Sequence, residues 1–510
     1  MVSLPREQQP QAISAIFIHA GAGFHSYQAE ATHLWVCNQA AMLGMAVLRA
    51  GGRAVDAVEV AIKFMEDHEI TNAGYGSNLS VNGTVECDAT IVDHLGRSGA
   101  VGAVEHIKNP ISLARLVLDV STKPMSLNRV PPNLLVGSGA TDFAYENGMP
   151  ILHADFLVST GSRERWLRWK QDLAQVETED NSEQGNQMGT QYQRPGRSDG
   201  SDAVVSPDPS CRPHTRMFDS SVRESDDMDM EYVDFSSAGQ ETTPHLPGGT
   251  DGSPDSSETK TLKRPGSPLA STSAEPARPT ALGYTGRAIP PEPIKSDPET
   301  DPVEACPQPG HSLGAGDDII DTVGAIAIDC NGNIAAGSSS GGIGMKHSGR
   351  TGPAALVGIG TAVIPIDPKD EERTCVAAVT SGTGEHMATT MASNVCAERI
   401  YSSTRKVAGQ PGVFETVNED EALEAMIDVD FMRHPGVLSS HCHAAIGVMV
   451  VKMTKDGIAF YFGHNTDSFA LASMNSTDTE PKCLMSRSRG NEKVAQGGRY
   501  TKLNRYSTAS

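Results

Sequence analysis

Residues 170–318 hold few apolar side chains and no hydrophobic period, and they are rich in Ser, Asp, Glu, Pro, Gly and Gln. Such a stretch cannot bury enough apolar surface to offset the entropy of ordering its backbone, so it reads as a disordered linker. Any core must then be assembled from two patterned segments, 13–169 and 319–470, that lie far apart in sequence. Residues 1–12 and 471–510 are polar and aperiodic and read as loose tails. A structureless loop this long inside one domain is acceptable if it is a processing linker whose far end must be free to leave.

In the first segment, residues 13–19 read as a buried strand entering the turn Ala20-Gly21-Ala22-Gly23, where small residues let the backbone approach a neighbour closely. The spacing of Leu34, Cys37, Ala41, Met45 and Leu48 predicts a helix over 30–50, stopped at Gly51-Gly52, with a second over 54–65. Short strands follow at 84–92 and 100–104. Asn109 is placed to cap a helix with Pro110 at its first position, and 134–145 passes from strand into helix.

The second segment begins with a hairpin, 322–329 and 334–340, around Asn331-Gly332-Asn333. Strands are predicted at 354–366 and 374–380, helices at 385–401 and 419–432, and a second hairpin at 443–453 and 457–464. This order predicts an α/β chain with two sheets packed face to face and helices on their outer faces.

A formal charge of −22 disfavours non-specific binding to nucleic acid or anionic membrane. No run approaches the roughly 20 apolar residues of a membrane span, and neither end carries the pattern of a secretory signal. The nine cysteines are odd in number and never form a C-x-x-C pair, which fits a reducing, intracellular setting without disulfides.

Asp321-Thr322 carries the chemistry. A buried mid-chain Thr has no base beside it, but a cut before Thr322 would free an α-amine able to take the proton of its own hydroxyl. Around this pair stand His19-Ala-Gly-Ala-Gly-Phe-His-Ser, Thr71-Asn-Ala-Gly-Tyr-Gly-Ser-Asn-Leu, Glu86-Cys-Asp-Ala, Ile107-Lys-Asn-Pro, Ser339-Ser-Gly-Gly, Lys346-His-Ser-Gly-Arg and Ser381-Gly-Thr-Gly-Glu-His. Together they resemble the type 2 asparaginase family of N-terminal nucleophile hydrolases, and within it the threonine aspartase (taspase) branch. The resemblance covers most of 13–135 and 321–466 and leaves the linker and the C-terminal tail unmatched.

The resemblance implies an αββα sandwich, interrupted by the linker, made as a precursor that cleaves itself between Asp321 and Thr322 into an α-subunit (1–321) and a β-subunit (322–510). It implies Thr322 as nucleophile, Ser340 as the hydroxyl that orients it, and Arg350 as a fork for a substrate carboxylate. Asn72 and the Ser381-Gly382-Thr383 turn match positions facing the nucleophile, where donors could stabilise an oxyanion. Read without the family, Ser340 is an ordinary strand-end serine, Arg350 a surface arginine and the glycine-rich turns only turns. Lys346 matches a family lysine of structural or unclear role.

Pro353 stands where asparaginases of the family keep an aspartate for the α-amino group of a small substrate. Proline cannot hold an ammonium, which favours an Asp within a polypeptide and hence an endopeptidase cutting after Asp. Ile319-Ile320-Asp321 would be its first substrate. The alternatives are an L-asparaginase or isoaspartyl peptidase on small β-aspartyl substrates, or a non-catalytic binding protein.

From the branch follow nuclear regulatory proteins as substrates, a nuclear or cytoplasmic site, a homodimer of αβ units, and no nucleic-acid or membrane partner. No cofactor is expected. No metal is expected either, since His441-Cys442-His443 lacks companion ligands and His386 is not needed by an N-terminal Thr mechanism.

Overall fold

The computed structural model describes residues 13–189, 321–407, 409–488 and 494–503. The expected N-terminal tail, 1–12, and all of the expected linker beyond residue 189 lie outside the described residues.

Strand β1 (Ala15–Gly23) is buried along its whole length. Helix α1 (Tyr27–Arg49) follows, with the Ser26 side chain accepting the Ala29 N–H as its N-cap. Helix α2 (Ala54–Glu66) packs beside α1 and buries Val58, Ala61, Ile62 and Met65. Strands β2 (Cys87–Val92) and β3 (Ser98–Val104) lead to α3 (Pro110–Ser121). The Asn109 side chain does not cap α3. Its amide donates to Asp67 Oδ1 at 2.9 Å, and Glu66 Oε1 accepts the Ile111 N–H at 2.9 Å in its place. Strand β4 (Leu134–Val136), α4 (Gly137–Glu146) and α5 (Thr160–Gly189) complete this part.

Beyond the undescribed segment come the hairpin β5 (Val323–Ile328) and β6 (Ile334–Ser340), then β7 (Thr361–Ile364), β8 (Cys375–Gly382), α6 (Gly384–Thr390) and α7 (Ala392–Ser402). A small ribbon, β9 (Thr404–Lys406) and β10 (Phe414–Thr416), precedes α8 (Glu419–Ala425). Helix α8 continues as a π-helical stretch over Met426–Met432 before the short α9 (Pro435–Leu438). The remaining strands are β11 (Ile446–Met453), β12 (Gly457–His464), β13 (Ser468–Asn475), β14 (Lys482–Arg487) and β15 (Ala495–Lys502).

Eight strands form one sheet in the order β14-β13-β1-β5-β6-β2-β3-β4, and five form a second in the order β15-β12-β11-β8-β7. The sheets pack face to face through Phe17, Ile326, Val379, Met449, Phe460 and Phe469. Helices α1, α2 and α3 cover the outer face of the larger sheet through Val36, Met45, Ile62 and Leu113, while α7 and α8 cover the smaller through Cys396, Ile400 and Leu423. The result is the expected αββα sandwich, with the two sequence segments interleaved in the larger sheet.

Several expectations are corrected. The Ala20–Gly23 stretch is not a turn but the end of β1, with a register break between His19 and Ala22 and Gly21 at φ 101°. That bulge bends the strand without ending it. The single helix over 385–401 is broken at Met391, whose φ of 52° and ψ of 46° are left-handed. Of the strand predicted over 354–366 only Thr361–Ile364 forms, because residues 353–355 make a 3-10 turn and Gly358 turns the chain at φ 81°.

Helix α5 runs past residue 169 to Gly189, into the region read as linker. Trp166 anchors it, its indole N–H donating to Ser80 O at 3.0 Å. The stretch read as a C-terminal tail supplies the end of β13 and all of β14 and β15, which are edge strands of the two sheets.

Phe469 is fully buried between the sheets. Phe469→Ala is expected to lower unfolding free energy by about 3–5 kcal/mol, measured by chemical denaturation.

Candidate active site

The β5–β6 hairpin lies in the middle of the larger sheet with Thr322 at its entrance. Strand alternation sorts three consecutive serines between two faces. Ser338 faces the other sheet, its hydroxyl 2.8 Å from Thr361 Oγ1, whereas Ser339 faces the helices and donates to Glu66 Oε1 at 2.7 Å. Ser340 returns to the inner side, where its Oγ accepts the Gly342 N–H at 3.0 Å. Val323 pairs with Ser339, so one step back along the same register sets Thr322 opposite Ser340. Thr322 is itself buried, 3% exposed.

A hydroxyl from the second sheet meets this point. Ser381 on β8 accepts the N–H of Thr322 at 3.2 Å and that of Ala22 at 3.0 Å, so the Asp321–Thr322 amide is tied to both β8 and β1. The next two residues of that strand end serve the backbone. Gly382, at φ 142°, has no room for a Cβ beside the Ala445 carbonyl. Thr383 donates to His443 O at 2.7 Å and accepts the Ala445 N–H at 3.2 Å.

Asn72 is fully buried and fastens the turn beyond Ser340. Its amide donates to Gly342 O at 2.8 Å, its Oδ1 accepts the Asn78 N–H at 2.8 Å, and its carbonyl accepts the Gly341 N–H at 2.8 Å. Arg350 lies against Gly342, Gly352 and Gly384, where an added Cβ would crowd its guanidinium. Its fork donates twice to Glu385 Oε1, at 2.7 and 3.0 Å. Burial works against the Glu385 charge, but the Arg350 hydrogen bond outweighs it and holds the carboxyl below its usual range.

Asp88 receives the N–H groups of Gly352 at 2.7 Å and Ala103 at 2.8 Å, which fixes the loop carrying Arg350. Buried Lys346 donates to the Glu86 carbonyl at 2.5 Å. Pro353 is buried at the start of the 3-10 turn beside Gly384.

Asp321 meets two histidines that were not among the sequence-based candidates. His25 Nε2 is 3.3 Å from Asp321 Oδ2, both residues are buried, and the His33 ring meets His25 edge-on at 4.4 Å. The ligand-type atoms of His25, His33 and Asp321 lie within 4.8 Å of one another. His25 stood in a quoted motif, but the partnership joins it to residue 321, and no local spacing signals that. His441 and His443 are exposed, and His386 is buried edge-on to Phe431.

Two sheets packed between helical layers, with a threonine at the entrance of a central strand, define an N-terminal nucleophile hydrolase scaffold. A family model described as Asparaginase matches residues 12–204 and 291–453, and the chain belongs to that type 2 asparaginase family of hydrolases. Among curated relatives named isoaspartyl peptidase/L-asparaginase, the Xenopus laevis protein is 40% identical over 154 residues, 30% of this chain and 47% of its own length. The Danio rerio protein is 37% identical over 164 residues (32% and 48%), and the human protein 41% over 142 (28% and 43%). The chain thus spans a little under half the length of the relatives it matches.

Glu66, behind Ser339, has its pKa pushed up to about 8, chiefly by burial. The folded state therefore keeps this proton where the unfolded chain loses it, so stability falls as pH rises from about 4.5 to about 8. Glu66→Gln is expected to flatten that part of the pH–stability curve, read from thermal unfolding midpoints across the range.

Proposed function

We propose that this chain is an autoprocessed threonine endopeptidase of the threonine aspartase type, cutting protein substrates after Asp. The observation that carries the reading is the placement of Thr322, buried at the head of a central strand, opposite Ser340 and with its N–H on Ser381 Oγ. In self-cleavage the Thr322 hydroxyl adds to the Asp321 carbonyl. The C–N bond breaks as the hydroxyl proton passes to the Thr322 nitrogen, and water hydrolyses the resulting ester to leave a free Thr322 amine and an Asp321 α-carboxylate.

In the mature enzyme that amine takes the hydroxyl proton, and Thr322 Oγ attacks the carbonyl after a substrate Asp. The proton then passes to the leaving amine, and water releases the acyl group. Arg350 receives the Asp side chain in exchange for Glu385, which is 62% exposed and free to swing away. Ser340 orients the nucleophile, while Asn72, Ser381, Gly382 and Thr383 frame the oxyanion position.

A second reading is favoured by the relatives, which are named isoaspartyl peptidase/L-asparaginase. It shares nucleophile and self-cleavage but takes small β-aspartyl substrates. Pro353 in place of an ammonium-binding carboxylate favours the endopeptidase. Nuclear regulatory proteins as substrates, a nuclear or cytoplasmic site and a homodimer of αβ units belong to the same proposal.

Intact-mass measurement and N-terminal sequencing are expected to find a fragment beginning at Thr322, absent from Thr322→Ala; an uncut wild-type chain would sink the mechanism. The processed enzyme is expected to cut peptides containing Ile-Ile-Asp but not β-aspartyl dipeptides, and the converse selects the second reading. Arg350→Ala is expected to raise KM about tenfold to a hundredfold, in keeping with the loss of a charge-assisted carboxylate contact.

A further inference from the structure

Asp321 is the residue on the acyl side of the proposed cut, and its side chain occupies a pocket of its own, apart from Arg350. Gly21 and Gly23 form one wall, where a Cβ on Gly21 would overlap the Asp321 side chain. His25 and His33 form the other, with His19 beneath Gly324.

Contacts from two strands fix the position of His25. Ser468 Oγ donates to the Gly23 carbonyl at 3.2 Å and accepts the His25 backbone N–H at 2.9 Å. Ser468 Oγ also lies 2.9 Å from His25 Nδ1, so it holds the ring through that nitrogen as well as through the backbone. The other ring nitrogen, Nε2, stands 3.3 Å from Asp321 Oδ2.

Burial opposes a charge on His25, but the Asp321 carboxylate beside it outweighs burial and the His25 pKa moves up. Burial pushes its neighbours the other way, His19 to about 3 and His33 to about 4, so they stay neutral. Arg487, whose guanidinium donates to the His25 carbonyl at 3.0 Å, is the other cation close by.

We infer that His25 is a positioning residue for self-cleavage: it clamps the Asp321 side chain through the buried Nε2–Oδ2 contact while Ser381 holds the Thr322 N–H, so both sides of the scissile amide are fixed before the Thr322 hydroxyl attacks. This inference rests on the self-cleavage reading and assigns a second carboxylate site to the molecule. The His25 pocket serves the chain's own Asp, and Arg350 serves the Asp of other proteins. Bond making and breaking are those given above, and His25 neither gains nor loses a proton in the step.

The test is a double-mutant cycle on the rate of appearance of the Thr322 fragment, using full-length chains made as precursors and followed by intact mass. His25→Gln and Asp321→Asn are each expected to slow cleavage at least tenfold. The double variant is expected to be no more than about twofold slower than the slower single, because both changes break one contact. Ser468→Ala, which releases Nδ1, is expected to slow cleavage by a smaller factor. Thermal unfolding of each variant in a Thr322→Ala background separates loss of positioning from loss of fold.

Cleavage of His25→Gln at the wild-type rate overturns the inference and leaves the self-cleavage reading standing. Losses that multiply in the double variant also overturn it. A wild-type chain that never cleaves overturns both.

Discussion

The antiparallel ladder that sets β1 between β13 and β5 is the constraint on which the rest of the molecule depends. All three strands are buried throughout, so their backbone donors and acceptors cannot turn to water and must find one another in one register. That register pairs His19 with Gly324 and Leu471, and it brings the bulged end of β1 against Asp321. A slip of one residue would exchange the faces of Ile16 and Phe17, one packed under the helices and the other between the sheets. The site is therefore a by-product of sheet pairing, and its precision is that of the ladder.

Three buried carboxylates near this ladder reach three different settlements with their surroundings. Asp88 accepts two backbone N–H groups, yet burial still raises its pKa. Glu66 accepts from Ser339 and Ile111, and its burial dominates. Asp321 faces an imidazole. The first two brace loops and helix ends, as buried polar groups commonly do. Asp321 differs because its own peptide bond is the one cut in the proposed self-cleavage, so its partner would bear on chemistry as well as on packing.

Much of the fold was legible because its elements obey a single period. The stripe of Met45 and Leu48, and the alternation of β5 and β6 around Asn331-Gly332-Asn333, needed nothing beyond local pattern. The strands near the C-terminus failed that test for a physical reason. β15, Ala-Gln-Gly-Gly-Arg-Tyr-Thr-Lys, is an edge strand with alternate residues exposed and few apolar side chains, so it earns its place by hydrogen bonding to β12. The break at Met391 and the π-helical turn after Ala425 were hidden because propensity does not mark where packing interrupts a helix. In the site, Thr322, Ser340 and Arg350 could be named from motifs. The partnership of His25 with Asp321 could not, since it exists only once β1 and β5 are side by side.

The strand order also determines what a single cut before Thr322 can do to the assembly. In the larger sheet β1 comes from the first segment, yet both of its neighbours, β13 and β5, come from the second. Among the described residues there is no seam along which the pieces could part, because lifting β1 out means opening two ladders and two apolar layers together. The halves would then be lifelong companions. After such a cut, molecules could not trade halves without unfolding, and a damaged half would condemn only the molecule in which it was made.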